Sequence, residues 1–258
     1  MSRRGFSMPV VLMLALAASL IVVGSLQRQG AQRLVVQRQI EEYHRHHDML
    51  GAQAIIRFWL SRQDNARLRD MSRVDEPAHR FSLPGGTHIS VYITDGQGRA
   101  MADLSGQRPP RREWFEAIIW RLRGERPDLL RYVGPPEISV NAAPFDVLRH
   151  IIEDGDALAN AIILDRERVP FDAVRFRQFL TQFGLSQGEV NEIGGIVTFD
   201  SRLWRLRIVA EDDSGQWRIF TGYAELGGQN PVIHEWREVF EDADLDERAP
   251  SARPRRVR

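Results

Sequence analysis

No position from Phe6 to Leu26 carries a charged side chain, and the next charge is Arg28. Wound as a helix at about 1.5 Å per residue, this run covers roughly 30 Å, the thickness of a bilayer core. Arg3 and Arg4 stand ahead of it, so the positive-inside tendency predicts a cytoplasmic amino end and a body on the far side of the membrane. A cleaved secretory signal or a generic anchor is the plain alternative. The run exceeds the ~7–15 residues of a signal core, however, and no small-x-small cleavage site follows before Gln27-Arg28-Gln29. Beyond it, Val36, Ile40, Tyr43, His47, Leu50, Ala54 and Phe58 recur at steps of three and four. That spacing predicts one helix from about Phe6 to Ser61, membrane-bound in its first half and packed by this stripe on a globular body in its second.

After Ser61 the period is lost in a loop-rich stretch through Asp70-Met71-Ser72-Arg73 and Pro84-Gly85-Gly86. Ile89, Val91 and Ile93 alternate with polar neighbours, predicting a half-buried strand over 88–94 that ends in Asp95-Gly96-Gln97-Gly98. From Pro109 to about Thr198 the period is helical. Trp114, Ile118, Ile119 and Leu122 line one helix, and Phe145, Val147, Leu148, Ile151 and Ile152 a second. Further helices fall near 157–164, 171–183 and 189–196, punctuated by Gly155, Pro170 and Gly184. Trp204 to Ala210 and Trp217 to Tyr223 alternate again around Asp212-Asp213-Ser214-Gly215, a hairpin signal. Gly227-Gly228-Gln229-Asn230 turns the chain into a last strand, 232–240, and the remainder is a polar tail with little to bury. The expected fold class is α+β: a long N-terminal helix laid on a small antiparallel sheet, with an all-helical lobe inserted between its strands.

Composition narrows the chemistry. The 35 basic residues, all arginine, balance 35 acidic ones, which gives no global pull on nucleic acid. No cysteine is present, which removes disulfides, thiolate metal sites and a cysteine nucleophile. His44, His46 and His47 near Glu41 and Glu42 suggest a metal, but His47 sits on the apolar stripe while the others point elsewhere, so no metal site is assigned. Asp242, Asp244 and Asp246 open like a calcium loop, yet its twelfth position is Arg253 where glutamate is required. Gly194-Gly195 and Gly227-Gly228 read as turns without a following Gly-Lys-Ser/Thr, and no nucleophile with its base or carboxylate pair is recognisable. Neither a catalytic residue nor a cofactor site is expected, and the chain does not read as an enzyme.

Five segments, in order, resemble one family. They are Arg4-Gly5 before Phe6; Asp95-Gly96-Gln97-Gly98 and on to Leu104; Ile138 to Leu148, with Asn141-Ala142-Ala143-Pro144 ahead of Val147 and Leu148; Arg166 to Phe171; and Phe199 to Leu206. Together they are similar to the minor pseudopilin K (general secretion pathway protein K) family of type II secretion, whose members are type IV pilin-like. The family's second segment usually reads D-x-x-G followed by asparagines, here replaced by Ala100 and Ala102. Its third reads N-x-N-T-A-x-x-x-L, and its first asparagine is Ser139 here. Asn141 also has a plain reading, as a helix cap ahead of an apolar run.

The resemblance implies residues 1–5 as a leader cut after Gly5 by prepilin peptidase, with Phe6 then methylated. It divides the rest into a transmembrane half of the helix (6–26), its exported half (27–62), the first part of a pilin-like sheet (63–105), an inserted helical domain (106–198), closing strands (199–240) and the tail (241–258). Val10 stands where most pilin-like subunits carry glutamate, the acid that compensates a neighbour's terminal amine in lipid; its loss suits a subunit at the fibre tip, unless Val10 is only another lipid-facing residue. Expected partners are the I- and J-type minor pseudopilins, with the H type and the major pseudopilin G behind them, in the inner membrane with the body in the periplasm. The resemblance also implies calcium as a possible ion in the body, as in some members, with its ligands unassigned.

Two alternatives stay open. One is a minor pilin of a type IV pilus or DNA-uptake system. The other is a membrane-anchored DNA-binding module, since Asn141–Leu148 followed by 190–196 also resembles a helix-hairpin-helix with its glycine turn. Arg149, Arg166, Arg168, Arg175 and Arg177 would face phosphate, opposed by Glu153, Asp154, Asp156, Asp165, Glu167 and Asp172.

Overall fold

The apolar run and the helical period behind it form one unbroken element in the computed structural model, α1 (Ser7–Leu60). The structure describes residues 7–105, 107–109, 111–151, 155–227 and 230–239. Gly5, Phe6, Ile152, Glu153, Asp154, the turn residues Gly228 and Gln229, and the tail with Asp242, Asp244, Asp246 and Arg253 lie outside them.

The chain divides into two units after Ala52. The first holds α1 up to Ala52, and the apolar side chains from Val11 to Leu20 and from Val22 to Leu26 are exposed along it, as are Leu34, Val36 and Ile40. By length and composition this helix is able to cross a membrane. The second unit, from Gln53 onward, takes the last turns of α1 into its core through Ile56 and Leu60, four positions apart. The expected stripe through Leu50, Ala54 and Phe58 is the wrong one: all three are exposed. Both sets are apolar at four-residue spacing, so period alone cannot choose between them. Trp59 decides it, stacking flat on His79 with ring centroids 4.9 Å apart, while Phe58 faces outward beneath the Arg62 guanidinium.

After α1, Asp64 accepts from the Arg67 amide and caps a short helix, α2 (Asn65–Met71), which buries only Leu68. Then β1 (His79–Ser82) pairs antiparallel with β2 (His88–Asp95). Both α2 and β1 fall in the stretch expected to be loop. Each is too short to show a period.

A single turn of 3-10 helix (Gly96–Gly98) leads from β2 to β3 (Ala100–Met101). Then come α3 (Arg111–Glu125), β4 (Leu130–Arg131), β5 (Ile138–Ser139), α4 (Phe145–Leu148), α5 (Asp156–Arg168), α6 (Ala173–Gln182), α7 (Gln187–Ile196) and β6 (Val197–Thr198). The last part is β7 (Leu203–Glu211), β8 (Trp217–Glu225) and β9 (Val232–Val239). Strands β1-β2-β7-β8-β9 form one antiparallel sheet in that order, so β2 and β7 are neighbours although the helical segment separates them in sequence. The fold class is α+β, with a long N-terminal apolar helix, an antiparallel sheet and helices.

The insert is not all helical. β3 pairs with β4 and β5 with β6, both parallel and two residues long. Its core is continuous through Phe115, Ile118, Leu122, Val147, Leu158, Ile162, Phe176, Leu180 and Ile193. Local chemistry sets its helix starts. Asp172 accepts from the amides of Val174 and Arg175, and Ser186 with Glu189 closes a capping box ahead of α7. Gly194 and Gly195, expected as a turn, are in the last turn of α7, which runs straight into β6. No second helix follows them, so the helix-hairpin-helix geometry does not form.

Gly134 connects the insert to the sheet at close range. Its φ is +85°, and a Cβ there would come within 2.9 Å of the Leu203 side chain. Gly134→Ala should lower the stability of the detergent-solubilised chain by about 1–3 kcal/mol in a denaturant melt, from strain and overpacking together. Gly124→Ala, in α3 with open space around it, should leave stability unchanged or raise it by about 0.5–1 kcal/mol. Equal melts for the two variants would remove Gly134 from the junction.

Candidate functional site, a polar junction of four sequence segments

The turn after β2 is where the sequence segments singled out for their resemblance come together. Asp95 ends β2, and its Oδ1 accepts from the Gln97 amide at 2.8 Å, which forms the 3-10 turn. Its Oδ2 accepts from two hydroxyls: Ser139 Oγ in β5 at 2.7 Å and Ser201 Oγ just before β7. Gln97, 1% exposed, reaches in both directions. Its Nε2 donates to the Glu137 carbonyl at 3.2 Å, and its Oε1 accepts from the amides of Arg202 and Leu203. Gly98 allows the approach, because a Cβ there would sit 2.6 Å from the Ala142 carbonyl oxygen.

Arg131 in β4 is also 1% exposed, which is rare for arginine. Its guanidinium donates to the carbonyls of Arg99 (3.0 Å), Val133 (2.7 Å), Glu137 (3.2 Å) and Pro135. Burial lowers its pKa to about 10, so the side chain is still charged at neutral pH; the charge of Asp95 is among the groups opposing that shift. Burial pushes the Asp95 carboxyl above the usual carboxylate range, while the Ser201, Ser139 and Gln97 donors and the Arg131 charge hold it down. The junction is a carboxylate and a guanidinium, both shielded, each held by several hydrogen bonds.

Asn141 is not the cap of α4. The cap is Pro144, which has no side chain to bond, and α4 is only four residues long. Instead the Asn141 amide clasps one residue from both sides: Nδ2 donates to the Phe171 carbonyl at 2.8 Å and Oδ1 accepts from the Phe171 amide at 2.8 Å. Arg166 donates to the carbonyls of Val140 and Ala143, both at 2.7 Å. Thus the Asn141 and Arg166–Phe171 segments are tied to each other, and Ser139 ties them to Asp95. Val147 and Leu148 contribute only burial, at 0% and 1% exposed. Ala100, where the resembled segment has asparagine, is fully buried in β3. Val10 is within α1.

Chemically this arrangement holds elements together. Among the described residues no group of three or more His, Asp or Glu is placed to hold a metal ion. The histidines of α1 pack edge-on or tilted against one another and Tyr43, with Tyr43 and His47 ring centroids 4.2 Å apart. Several of the arginines proposed for phosphate are committed elsewhere: Arg166 as above, Arg175 to Asp165 at 2.5 Å, and Arg149 to Glu125.

No protein-family model matches this chain, and no curated relative does. Among solved structures, it is similar to one chain of the GspK–GspI–GspJ complex from the enterotoxigenic Escherichia coli type 2 secretion system. The TM-score is 0.49 at 13% identity, covering 79% of this chain and 100% of that one. At that level the likeness assigns neither a family nor a role.

Replacing Asp95 by alanine leaves the two hydroxyls and the Gln97 amide without their acceptor and removes the negative charge near Arg131, so Asp95→Ala should cost about 3–5 kcal/mol in a denaturant melt. Asn141→Ala should cost about 2–4 kcal/mol, since both polar groups of Phe171 lose their partner. The pH dependence of Asp95 has a definite sign. A raised folded pKa means the folded chain binds this proton more tightly, so the contribution is full below the ordinary carboxylate range and is lost as pH rises through the raised value. The melting temperature of the parent minus that of Asp95→Asn should therefore fall between pH 4 and pH 7. A difference that is flat or rises would contradict burial as the dominant influence on this carboxyl.

Proposed function

We propose that this chain is a membrane-anchored assembly subunit of the pseudopilin type, a minor pseudopilin K-like component of a type II secretion system. The observation that carries the reading is α1, which is exposed and apolar over a bilayer's length and continues without a break into the core of the second unit. Such a helix can pack laterally with like helices in a membrane and hold a folded body outside it. The meeting of four resembled segments through Asp95, Ser139 with Asn141, Phe171 and Ser201 supports the same reading, because their order in sequence acquires a common structural reason.

In this role prepilin peptidase cuts after Gly5 and Phe6 becomes the methylated terminus. Val10 offers no acid to a neighbour's amine, which suits a subunit at the fibre tip, beside the I- and J-type minor pseudopilins. The body is on the periplasmic face of the inner membrane, and the chain contributes shape and interfaces with no catalysis and no bound cofactor. Nothing in the arrangement favours the DNA-binding alternative, whose glycine turn is inside α7.

The test is the mass of the N-terminal peptide from membranes of cells that contain a prepilin peptidase. The expected terminus is methylated Phe6, and Gly5→Ala should abolish it and block assembly with the partner subunits. A terminus at Met1, a cut beyond Leu20, or normal secretion with Gly5→Ala would sink the reading.

A further inference from the structure

Between Phe6 and Ile40 the chain carries no acid, and its only positive charges are Arg28, Arg33 and Arg38. All three are exposed side chains of α1, in the stretch that follows the apolar run. None has an ion-pair or hydrogen-bond partner among the described residues. The first acid, Glu41, is engaged by Gln37 at 3.2 Å and by Arg45 at 3.9 Å.

Five residues separate each arginine from the next. That step advances a helix by about 7.5 Å and turns it about 140° past a full circle, so the three cations point in three directions around the axis. A single neighbouring helix meets one side of α1 and leaves part of the set unpaired. A partner that surrounds the helix meets all of it. Height narrows the partner further. Counted from Leu26, Arg28 is about 3 Å beyond the apolar run, Arg33 about 10 Å and Arg38 about 18 Å. The headgroup layer is roughly 5–8 Å deep on each side of the hydrocarbon core, and long arginine side chains bend along the axis to reach it. Arg28 is therefore in the layer, Arg33 at its edge and Arg38 above it. Gln27, Gln29 and Gln32 fill the same height with neutral amides, which donate hydrogen bonds without adding an opposing charge.

We propose that Arg28 and Arg33 form a collar that gathers anionic phospholipid headgroups around α1 where it leaves the bilayer. The proposal rests on the membrane-anchor reading above and adds a lipid class to it. A guanidinium pairs bidentately with phosphate, and arginines beside a membrane span favour lipids of net negative charge over zwitterionic ones. With no acid nearer than Glu41, that attraction is unopposed. The contributions are graded by height: Arg28 gives most and Arg38 least.

The absence of cysteine allows a single fluorophore on the full chain at Gln32→Cys, at the height of the collar. The chain is reconstituted in vesicles of phosphatidylcholine and phosphatidylglycerol in equal parts, and one lipid or the other carries a nitroxide at the top of its acyl chain. The label reports its own side of the membrane whichever way the chain inserts, so Arg3 and Arg4 do not contribute. At equal mole fraction, spin-labelled phosphatidylglycerol should quench more than spin-labelled phosphatidylcholine, with a local enrichment of roughly twofold to fivefold. The excess should vanish in the combined Arg28→Gln, Arg33→Gln variant and in about 1 M salt, where the screening length is about 3 Å, and should largely persist in Arg38→Gln. Both collar side chains are exposed, so the double variant removes charge and no packing. Equal quenching by the two lipids, or an excess that survives the double variant, would overturn the collar and leave the anchor reading standing. Salt-sensitive self-association of the parent with no lipid preference would overturn it in favour of acids on a second copy. A chain that fails to float with the vesicles would overturn both readings.

Discussion

The Asp95 carboxylate is the point on which the second unit turns. One oxygen shapes the turn that ends β2; the other accepts from Ser139 and Ser201, one in β5 within the insert and one at the insert's exit. Remove it and the sheet and the insert keep the Gln97 hydrogen bonds and the Gly134–Leu203 contact but lose the carboxylate that both serines share. With it, Gln97 and Arg131 acquire their reason. Gln97 couples the turn to both Glu137 and the first amides of β7, and Arg131 gathers the carbonyls of the loop between β4 and β5. Shielded polar groups of this kind are tolerated when every lone pair and proton is used, and they then specify one arrangement of the elements around them.

Much of the layout was legible because it is local. The β7–β8 hairpin follows from alternation around an Asp-Asp-Ser-Gly turn, and α6 and α7 overlap the helices expected at 171–183 and 189–196, with their starts set by the caps Asp172 and Ser186. β1 and α2 were missed because four and seven residues are too few for a period to show, although Asp64 was a readable cap. The face of α1 was misjudged because two apolar stripes of equal spacing compete there, and only the Trp59–His79 stack breaks the tie. Gly194 and Gly195 carry a turn's composition, but nothing about an exposed helical glycine forbids it from staying in the helix.

The junction was legible only in part. Its residues stood out as members of a resembled pattern, yet their partners are 44 and 106 positions away from Asp95, and no local rule links them. Asn141 shows the difference most plainly. As a residue before an apolar run it has the composition of a cap, whereas its two amide atoms in fact grip Phe171, 30 positions on. Sequence named the right residue and the wrong partner.

Nesting the insert between neighbouring strands has a kinetic cost. β2 finds its partner only when β7 has arrived, so the pairing must await a chain loop that includes every residue from Gly96 to Arg202. Contacts so distant in sequence form slowly, and the loop closes most readily once the intervening helices have already collapsed into a compact plug. Until then β1 and β2 form a two-stranded ribbon with an open edge, a template for pairing with any extended segment nearby. For a chain synthesised amino end first, that interval lasts from the emergence of β2 to the emergence of β7. The insert core, folding ahead of the sheet, is what keeps it short.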